Sequence, residues 1–205
     1  MQTKETQSKI TPESALQMLK EGNERFVNNQ HLKRDLMDEV KRTSNIQFPY
    51  ASVLACIDSR MLPEVFFDQG IGDVFIVRVA GNIVNNDILG SLEFASKVIG
   101  SRLILVMGHT DCGAMKGAID NVKMGHLTGV MEKIKPAVEA LNDYDGEKTA
   151  SNIDFVTKVN EKSIRMTIEK IREESDILRE MEEKGEIIIS GAMYDNETGK
   201  VKFFD

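Results

Sequence analysis

The 205-residue sequence contains little cysteine and no tryptophan, and its two cysteines are Cys56 and Cys112. Two cysteines exclude a disulfide-dense scaffold. A chain of this length buries enough apolar surface to form one domain without covalent cross-links. In a reducing compartment, cysteines are more often buried, catalytic or metal-bound than paired, so both residues are candidates for a functional site.

An excess of positive charge and long hydrophobic runs are also missing. The formal net charge is −7, from 33 acidic and 26 basic residues. This balance argues against nucleic acid as a partner, because phosphate binding depends on clustered positive charge. No window approaches the run of about 18 apolar residues that spans a membrane, and the polar N-terminal segment has no apolar core of a secretory signal. We therefore expect a cytoplasmic protein that does not use a membrane.

What the sequence does have is four short apolar runs separated by helical patterns. The apolar runs cover residues 50–57, 73–79, 101–107 and 185–190. Such runs are typical of strands buried on both faces of a parallel sheet. The helical patterns cover residues 12–29, 33–43, 63–68, 87–99, 126–141 and 153–183. This alternation predicts an α/β fold with a mainly parallel β-sheet flanked by helices, preceded by an N-terminal helical arm. A C-terminal hairpin is predicted over residues 193–204, with its turn at 197–199.

Two of the predicted strands end in residues with metal-binding chemistry. Cys56 follows the first strand, and His109 and Cys112 follow the third. Ligands of open α/β sheets bind beyond the carboxyl ends of the strands, so these side chains can meet there. Two thiolates and one imidazole suit zinc and leave a fourth tetrahedral position open, as in catalytic zinc sites. The spacing is also compatible with inert core cysteines or with a thiol nucleophile or redox pair.

Asp58 and Arg60 follow Cys56 at alternate positions. If the strand stays extended, residues 56, 58 and 60 face the same side. A carboxylate beside a metal either becomes a fourth ligand or accepts a hydrogen bond from metal-bound water, and a bidentate pair with Arg60 would choose between these roles. The alternative for the two residues is an ordinary surface ion pair.

Taken together, these motifs resemble the signature of the β-class carbonic anhydrases. The signature residues are Cys-Ile-Asp-Ser-Arg at 56–60 and His-Thr-Asp-Cys-Gly at 109–113. Residues 47–49, 75–82 and 90–95 are also similar to segments of that family, so the resemblance covers most of the chain. It implies a single domain over residues 1–205, with an N-terminal helical arm (1–45) and an α/β zinc-binding core (46–205).

The resemblance implies an enzyme that interconverts carbon dioxide and bicarbonate by attack of a zinc-bound hydroxide. Zinc would be held by Cys56, His109 and Cys112. Asp58 and Arg60 would be the catalytic dyad, because two thiolates cancel the charge of zinc and bound water is then acidified less than at a three-histidine site. Release of Asp58 by Arg60 would let the carboxylate close the site as a fourth ligand, a state favoured at lower pH.

Four further residues are implied to contact the substrate. Gln47 would donate a hydrogen bond to carbon dioxide or bicarbonate. Phe75 and Phe94 would wall an apolar pocket shared across the interface of a homodimer or homotetramer, and Gly113 would let backbone pass close to the site. Phe94 stands where many family members have tyrosine, and residues 79–82 (Val-Ala-Gly-Asn) replace the common Asn-Val-Ala-Asn. Both departures change the pocket wall.

Several functional alternatives remain open at this stage. A related zinc site would also suit hydrolysis of the linear, apolar substrates COS or CS₂. A non-catalytic zinc- or bicarbonate-binding subunit is another candidate. The presence of Asp58, Arg60 and Gln47 argues against it, because a purely structural site needs none of them. The proton shuttle is equally open: His126 qualifies on the usual pKa of histidine, and an ordinary solvated surface histidine is the alternative.

Overall fold

The computed structural model describes residues 2–204, so the two terminal residues of the expected 1–205 domain lie outside the described chain. Its strands are β1 (Ala51–Ala55), β2 (Val74–Arg78), β3 (Leu103–His109), β4 (Ile188–Tyr194) and β5 (Val201–Phe203). They form one sheet in the order β2-β1-β3-β4-β5. The first four strands run parallel and β5 runs antiparallel to β4. This confirms the predicted mainly parallel sheet with a C-terminal hairpin.

Nine α-helices lie among the described residues. They are α1 (Lys4–Ser8), α2 (Pro12–Val27), α3 (Leu36–Thr43), α4 (Pro63–Phe66), α5 (Asn86–Glu93), α6 (Gly113–Ile119), α7 (Leu127–Glu139), α8 (Ile153–Glu174) and α9 (Asp176–Glu183). A 3₁₀ turn at Ala80–Asn82 follows β2, and a π-helical turn at Phe94–Ile99 extends α5. Helices therefore connect each parallel strand to the next, as the sequence predicts.

The central strands β1 and β3 are buried on both faces. Val53 and Leu105 belong to the apolar cluster on one face, whereas Leu54 and Ile104 belong to the cluster on the other. All four side chains have 0% exposure. Because successive side chains alternate across a strand, both faces of the sheet are packed and only the strand ends are left for polar chemistry.

Helix α2 packs on its own chain. Thr11 caps it and Pro12 occupies its first turn, as predicted. Ala15 and Leu19 are fully buried, and the helix lies against α4 and β3. At Gly22 a Cβ atom would come within 1.9 Å of the Phe67 carbonyl oxygen, so only glycine permits this close approach. The apolar stripe of the arm is thus covered inside the subunit.

Two predictions about helices are wrong. The single helix expected over residues 153–183 is interrupted at Ser175, whose extended backbone (φ −122°, ψ 98°) ends α8 and caps α9. The segment 1–10, where no helix is predicted, contains α1. Its Gln7 is buried and donates hydrogen bonds to the carbonyl oxygens of Pro49 (2.8 Å) and Ile99 (3.2 Å). Both departures arise from tertiary hydrogen bonds that periodicity does not report.

Candidate metal centre

Three side chains with metal-binding atoms meet at the carboxyl ends of β1 and β3. Cys56 directly follows β1, His109 ends β3, and Cys112 is the N-cap residue of α6. One ligand atom from each lies within 4.8 Å of the others. The three residues are buried, with exposures of 4%, 0% and 0%, and both cysteines are free. The structure therefore brings together the three ligands expected from the sequence.

The hydrogen bonds of His109 leave one ring nitrogen free for a cation. Nδ1 lies 2.9 Å from the carbonyl oxygen of Thr110, and a proton on Nδ1 makes this contact a hydrogen bond. Nε2 is buried and has no hydrogen-bond partner among the described residues. Metal-ligating histidines characteristically donate their other N–H in this way. A buried, unpartnered Nε2 beside two sulfur atoms fits a metal ligand.

The two thiols influence each other's ionisation. The hydrogen bond from Cys112, with further contacts from His109 and the backbone of Gly81, lowers the pKa of Cys56 to about 4. The same sulfur contact, together with burial, raises the pKa of Cys112 above its usual range. Two thiolates this close and this buried need a cation between them, and a bound metal holds a coordinating thiol deprotonated. The donor set and its burial fit zinc.

Asp58 lies beside the ligand cluster in a turn, since β1 ends at Ala55 and does not extend to residue 60. The backbone N–H of Arg60 donates to Asp58 Oδ1 at 3.0 Å, and its guanidinium donates to both carboxylate oxygens at 2.9 and 2.8 Å. Asp58 Oδ2 is 3.9 Å from His109 Nε2. The hydrogen bonds from Arg60 hold the pKa of Asp58 well below its usual range. Asp58 is therefore an ionised carboxylate next to the metal position.

Two residues without a role in the sequence analysis hold the backbone around the ligands. Arg78, at the end of β2, donates to the carbonyl oxygens of Cys56 (3.0 Å) and Asp58 (2.7 Å). Asn160, fully buried in α8, donates to the carbonyl oxygen of His109 at 2.9 Å. The sequence feature that pointed to Asn160 was its polar amide on the apolar side of the helical pattern over residues 153–183. Arg78 lies in the segment 75–82 that resembles the family, but neither that segment nor its charge indicated this role.

Of the residues expected to contact substrate, Gly113 directly follows Cys112, whereas Phe75, Phe94 and Gln47 line grooves that contain none of the three ligand residues. Phe75 and Phe94 line a common groove between β2 and α5. Gln47 is exposed and lines a separate groove near Arg42. Gly113 is the exposed first residue of α6, where a Cβ atom would meet nothing within 4 Å. The substrate roles of these residues remain predictions.

His126 is exposed immediately before α7. Its role as a proton shuttle also remains a prediction.

Comparisons with known proteins agree with this fold. The family model described as carbonic anhydrase matches residues 51–201. Carbonic anhydrase 2 of Mycobacterium tuberculosis is 34% identical over 201 residues, which cover 95% of this chain and 93% of the relative. The β-carbonic anhydrase CcaA superposes with a TM-score of 0.73 at 26% identity, covering 93% of this chain and 95% of that one. A tetrameric β-carbonic anhydrase of Sordaria macrospora superposes with a TM-score of 0.72 at 20% identity, covering 82% and 90%.

The chain therefore belongs to the β-class carbonic anhydrase family. The activity of this family is the reversible hydration of carbon dioxide to bicarbonate and a proton, and its members are zinc enzymes. The resemblance drawn from the two signature motifs is confirmed, as are the enzyme class and the cofactor expected from it. Among residues 2–204, no helix has the length and apolar character needed to cross a membrane.

Proposed function

We propose that carbon dioxide is hydrated beside Cys56, His109 and Cys112, with Asp58 and Arg60 as the catalytic dyad. The observation that carries this assignment is the place of Asp58, 3.9 Å from the unpartnered Nε2 of His109 while Arg60 binds both its oxygens. Zinc held by the three ligands would lower the pKa of a bound water and so would supply a nucleophile.

The role of Asp58 follows from its ionisation. A carboxylate accepts hydrogen bonds and does not donate them, so Asp58 takes the hydrogen bond of the attacking oxygen and directs that oxygen's lone pair toward carbon dioxide. Arg60 keeps the carboxylate ionised and fixes its plane. Rotation of Asp58 onto the metal as a fourth ligand would break two charge-assisted hydrogen bonds. Arg60 thus favours the open site over the closed one.

The decisive experiment compares Asp58→Asn with Asp176→Asn. Asp176 also pairs with an arginine, Arg179, but on the exposed surface of α9. We expect one zinc per chain in the wild type and in both variants by metal analysis. In stopped-flow measurements of carbon dioxide hydration, Asp58→Asn should lose roughly 10²-fold in kcat/KM and Asp176→Asn should match the wild type. Normal turnover in Asp58→Asn would exclude the dyad.

We also propose that the substrate pocket is completed by a second copy of the chain in a homodimer or larger assembly. Phe94 is 49% exposed and Val98 is 67% exposed on the π-helical turn beside β2. Among the described residues, no strand pairs with the outer edge of β2. An exposed apolar surface next to an open sheet edge is a typical interaction surface. The Sordaria macrospora relative is tetrameric, which supports assembly.

The redox chemistry of the ligands supports a cytoplasmic location. Cys56 and Cys112 must stay reduced to bind zinc, and a reducing cytosol keeps thiols in that state. Fractionation of cells that express the protein, with zinc content measured in each fraction, tests the location. Zinc-loaded protein found only outside the cytoplasm would contradict it.

A further inference from the structure

The turn that joins β4 to β5 reaches the histidine ligand from the far end of the sequence. Strand β4 pairs in parallel with β3, and His109 lies opposite Tyr194. The Thr110 N–H donates to the Tyr194 carbonyl oxygen at 2.9 Å, which extends the pairing one residue beyond His109. The backbone N–H of Asn196 then donates to the hydroxyl oxygen of Thr110 at 3.0 Å. The turn is thereby fixed to the residue that follows the ligand.

The side chain of Asn196 contacts the acceptor that His109 uses. Asn196 Nδ2 donates to the Thr110 carbonyl oxygen at 2.6 Å, and His109 Nδ1 lies 2.9 Å from the same oxygen. A carbonyl oxygen has two lone pairs and accepts both donors. Nδ2 also lies 3.1 Å from Nδ1, so the amide of Asn196 contacts both the His109 ring and the oxygen that the ring faces.

The turn that carries Asn196 is internally braced. The carboxylate of Asp195 accepts the backbone N–H groups of Glu197 (2.8 Å) and Thr198 (3.2 Å). Gly199, with a φ of +71°, donates its N–H to the Asp195 carbonyl oxygen at 2.9 Å. Only glycine adopts that backbone conformation without strain. Asn196 is therefore presented to Thr110 from a rigid support.

We propose that Asn196 is a positioning residue for the zinc ligand His109. By holding the Thr110 carbonyl oxygen in place and contacting Nδ1, Asn196 fixes the orientation of the His109 ring, so that Nε2 points toward the two cysteines. Outer contacts of this kind orient a ligand and raise metal affinity. The assignment rests on the proposed zinc centre and adds a residue that no signature motif contains.

The test measures zinc affinity of the full-length apoprotein by competition with a chromophoric chelator. Asn196→Ala should bind zinc about 10- to 100-fold more weakly than the wild type, and its cobalt-substituted form should show shifted d–d absorption bands. Glu197→Ala is the matched control, because Glu197 lies in the same turn with an exposed side chain. It should match the wild type in both measurements. Zinc affinity and cobalt spectrum of Asn196→Ala equal to those of Glu197→Ala would overturn the proposal.

Two further variants keep the test decisive. Thr110→Val removes the hydroxyl that accepts the Asn196 N–H, so its zinc affinity should also fall, by about tenfold. If circular dichroism shows that Asn196→Ala does not fold, unchanged zinc affinity in Thr110→Val overturns the proposal. Cys56→Ser separates the two levels of the assignment. If Cys56→Ser binds zinc as tightly as the wild type, the zinc centre itself is refuted. If Cys56→Ser loses zinc but Asn196→Ala binds it normally, only the role of Asn196 is refuted.

Discussion

Cys56 and Cys112 place two sulfur atoms in a buried site that a cation between them would stabilise. Within residues 2–204, these cysteines and His109 form the cluster of metal-binding side chains. Because each partner is buried, removal of the cation leaves charge or unpaired polar atoms where water cannot compensate them. The ligands therefore contribute to stability as well as to chemistry.

Removal of zinc should lower the thermal stability of the protein. A metal that binds only the folded state stabilises it by mass action. We expect a chelator to lower the Tm of the wild type by several degrees. This shift corresponds to a loss of about 1–3 kcal/mol in the free energy of unfolding at the ligand excess typical of such assays. Differential scanning calorimetry measures this change. Cys56→Ser, already without zinc, should show no chelator effect, and an equal effect in both proteins would contradict the prediction.

Loss of Arg60 should release Asp58 toward the metal. Arg60→Ala removes the two guanidinium hydrogen bonds that hold the carboxylate. We expect Arg60→Ala to retain zinc, to lose at least tenfold in carbon dioxide hydration, and to show a cobalt spectrum that no longer responds to added anions. The matched control is Arg179→Ala on the surface of α9. A spectrum that still responds to anions would show that Asp58 does not close the site.

At the scale of whole elements, the break between α8 and α9 depends on one hydroxyl group. Ser175 is 1% exposed. Its hydroxyl donates to Glu93 Oε1 at 2.6 Å and accepts the Leu178 N–H at 3.2 Å. The same side chain thus caps α9 and ties it to α5. This hydrogen bond between helices explains why the long apolar pattern over residues 153–183 does not continue as one helix.

Ser175→Ala should destabilise the fold by about 1–2 kcal/mol, through loss of a helix cap and of the bond to a carboxylate. Urea denaturation followed by circular dichroism measures the change. Ser44→Ala, at an exposed serine, should stay within about 0.5 kcal/mol of the wild type. Equal stability of the two variants would contradict a stabilising role for the hydrogen bond between Ser175 and Glu93.

The turn between β4 and β5 should lose stability in acid. Backbone N–H groups, first that of Glu197, hold the pKa of Asp195 below its usual range. The folded pKa is therefore lower than the unfolded one. The contribution of Asp195 is fully present above about pH 4 and is lost as the pH falls through the folded pKa. The Tm difference between wild type and Asp195→Asn should be present at pH 7 and shrink below about pH 4. A constant difference would exclude this role.

The strands and the three candidate ligands were accessible from the sequence because both depend on local patterns. Apolar runs of strand length define β1 and β3, and the signature motifs directly follow or end those runs. Arg78, Asn160 and Asn196 were not accessible as site residues, since each acts through a backbone carbonyl group of a residue distant in sequence. Every residue has a backbone carbonyl group, so a side chain that donates to one needs no particular sequence motif around it.

At the scale of the whole molecule, the groove with Phe75 and Phe94 is separate from the ligand cluster in one chain. In our proposal a second subunit covers this groove. Val98→Glu adds a charge at a position that is 67% exposed in the single chain. The substitution therefore does not disturb the subunit's own core.

Val98→Glu should dissociate the assembly and lower carbon dioxide hydration while the subunit remains folded. Sedimentation velocity measures the oligomeric state, and circular dichroism measures folding. Met124→Glu, at a residue with 65% exposure outside β2 and the π-helical turn, is the control and should leave assembly unchanged. A wild-type protein that sediments as a monomer with full activity would contradict the shared pocket.

The open edge of β2 also bears on the colloidal behaviour of the protein. An edge strand of apolar residues offers unpaired backbone donors and acceptors to any other chain with a matching edge. In the proposed assembly, subunit association would mask this edge, so the quaternary contact would protect against disordered self-association. Solutions of Val98→Glu should therefore become turbid sooner than wild-type solutions of equal concentration, even though the variant carries more negative charge.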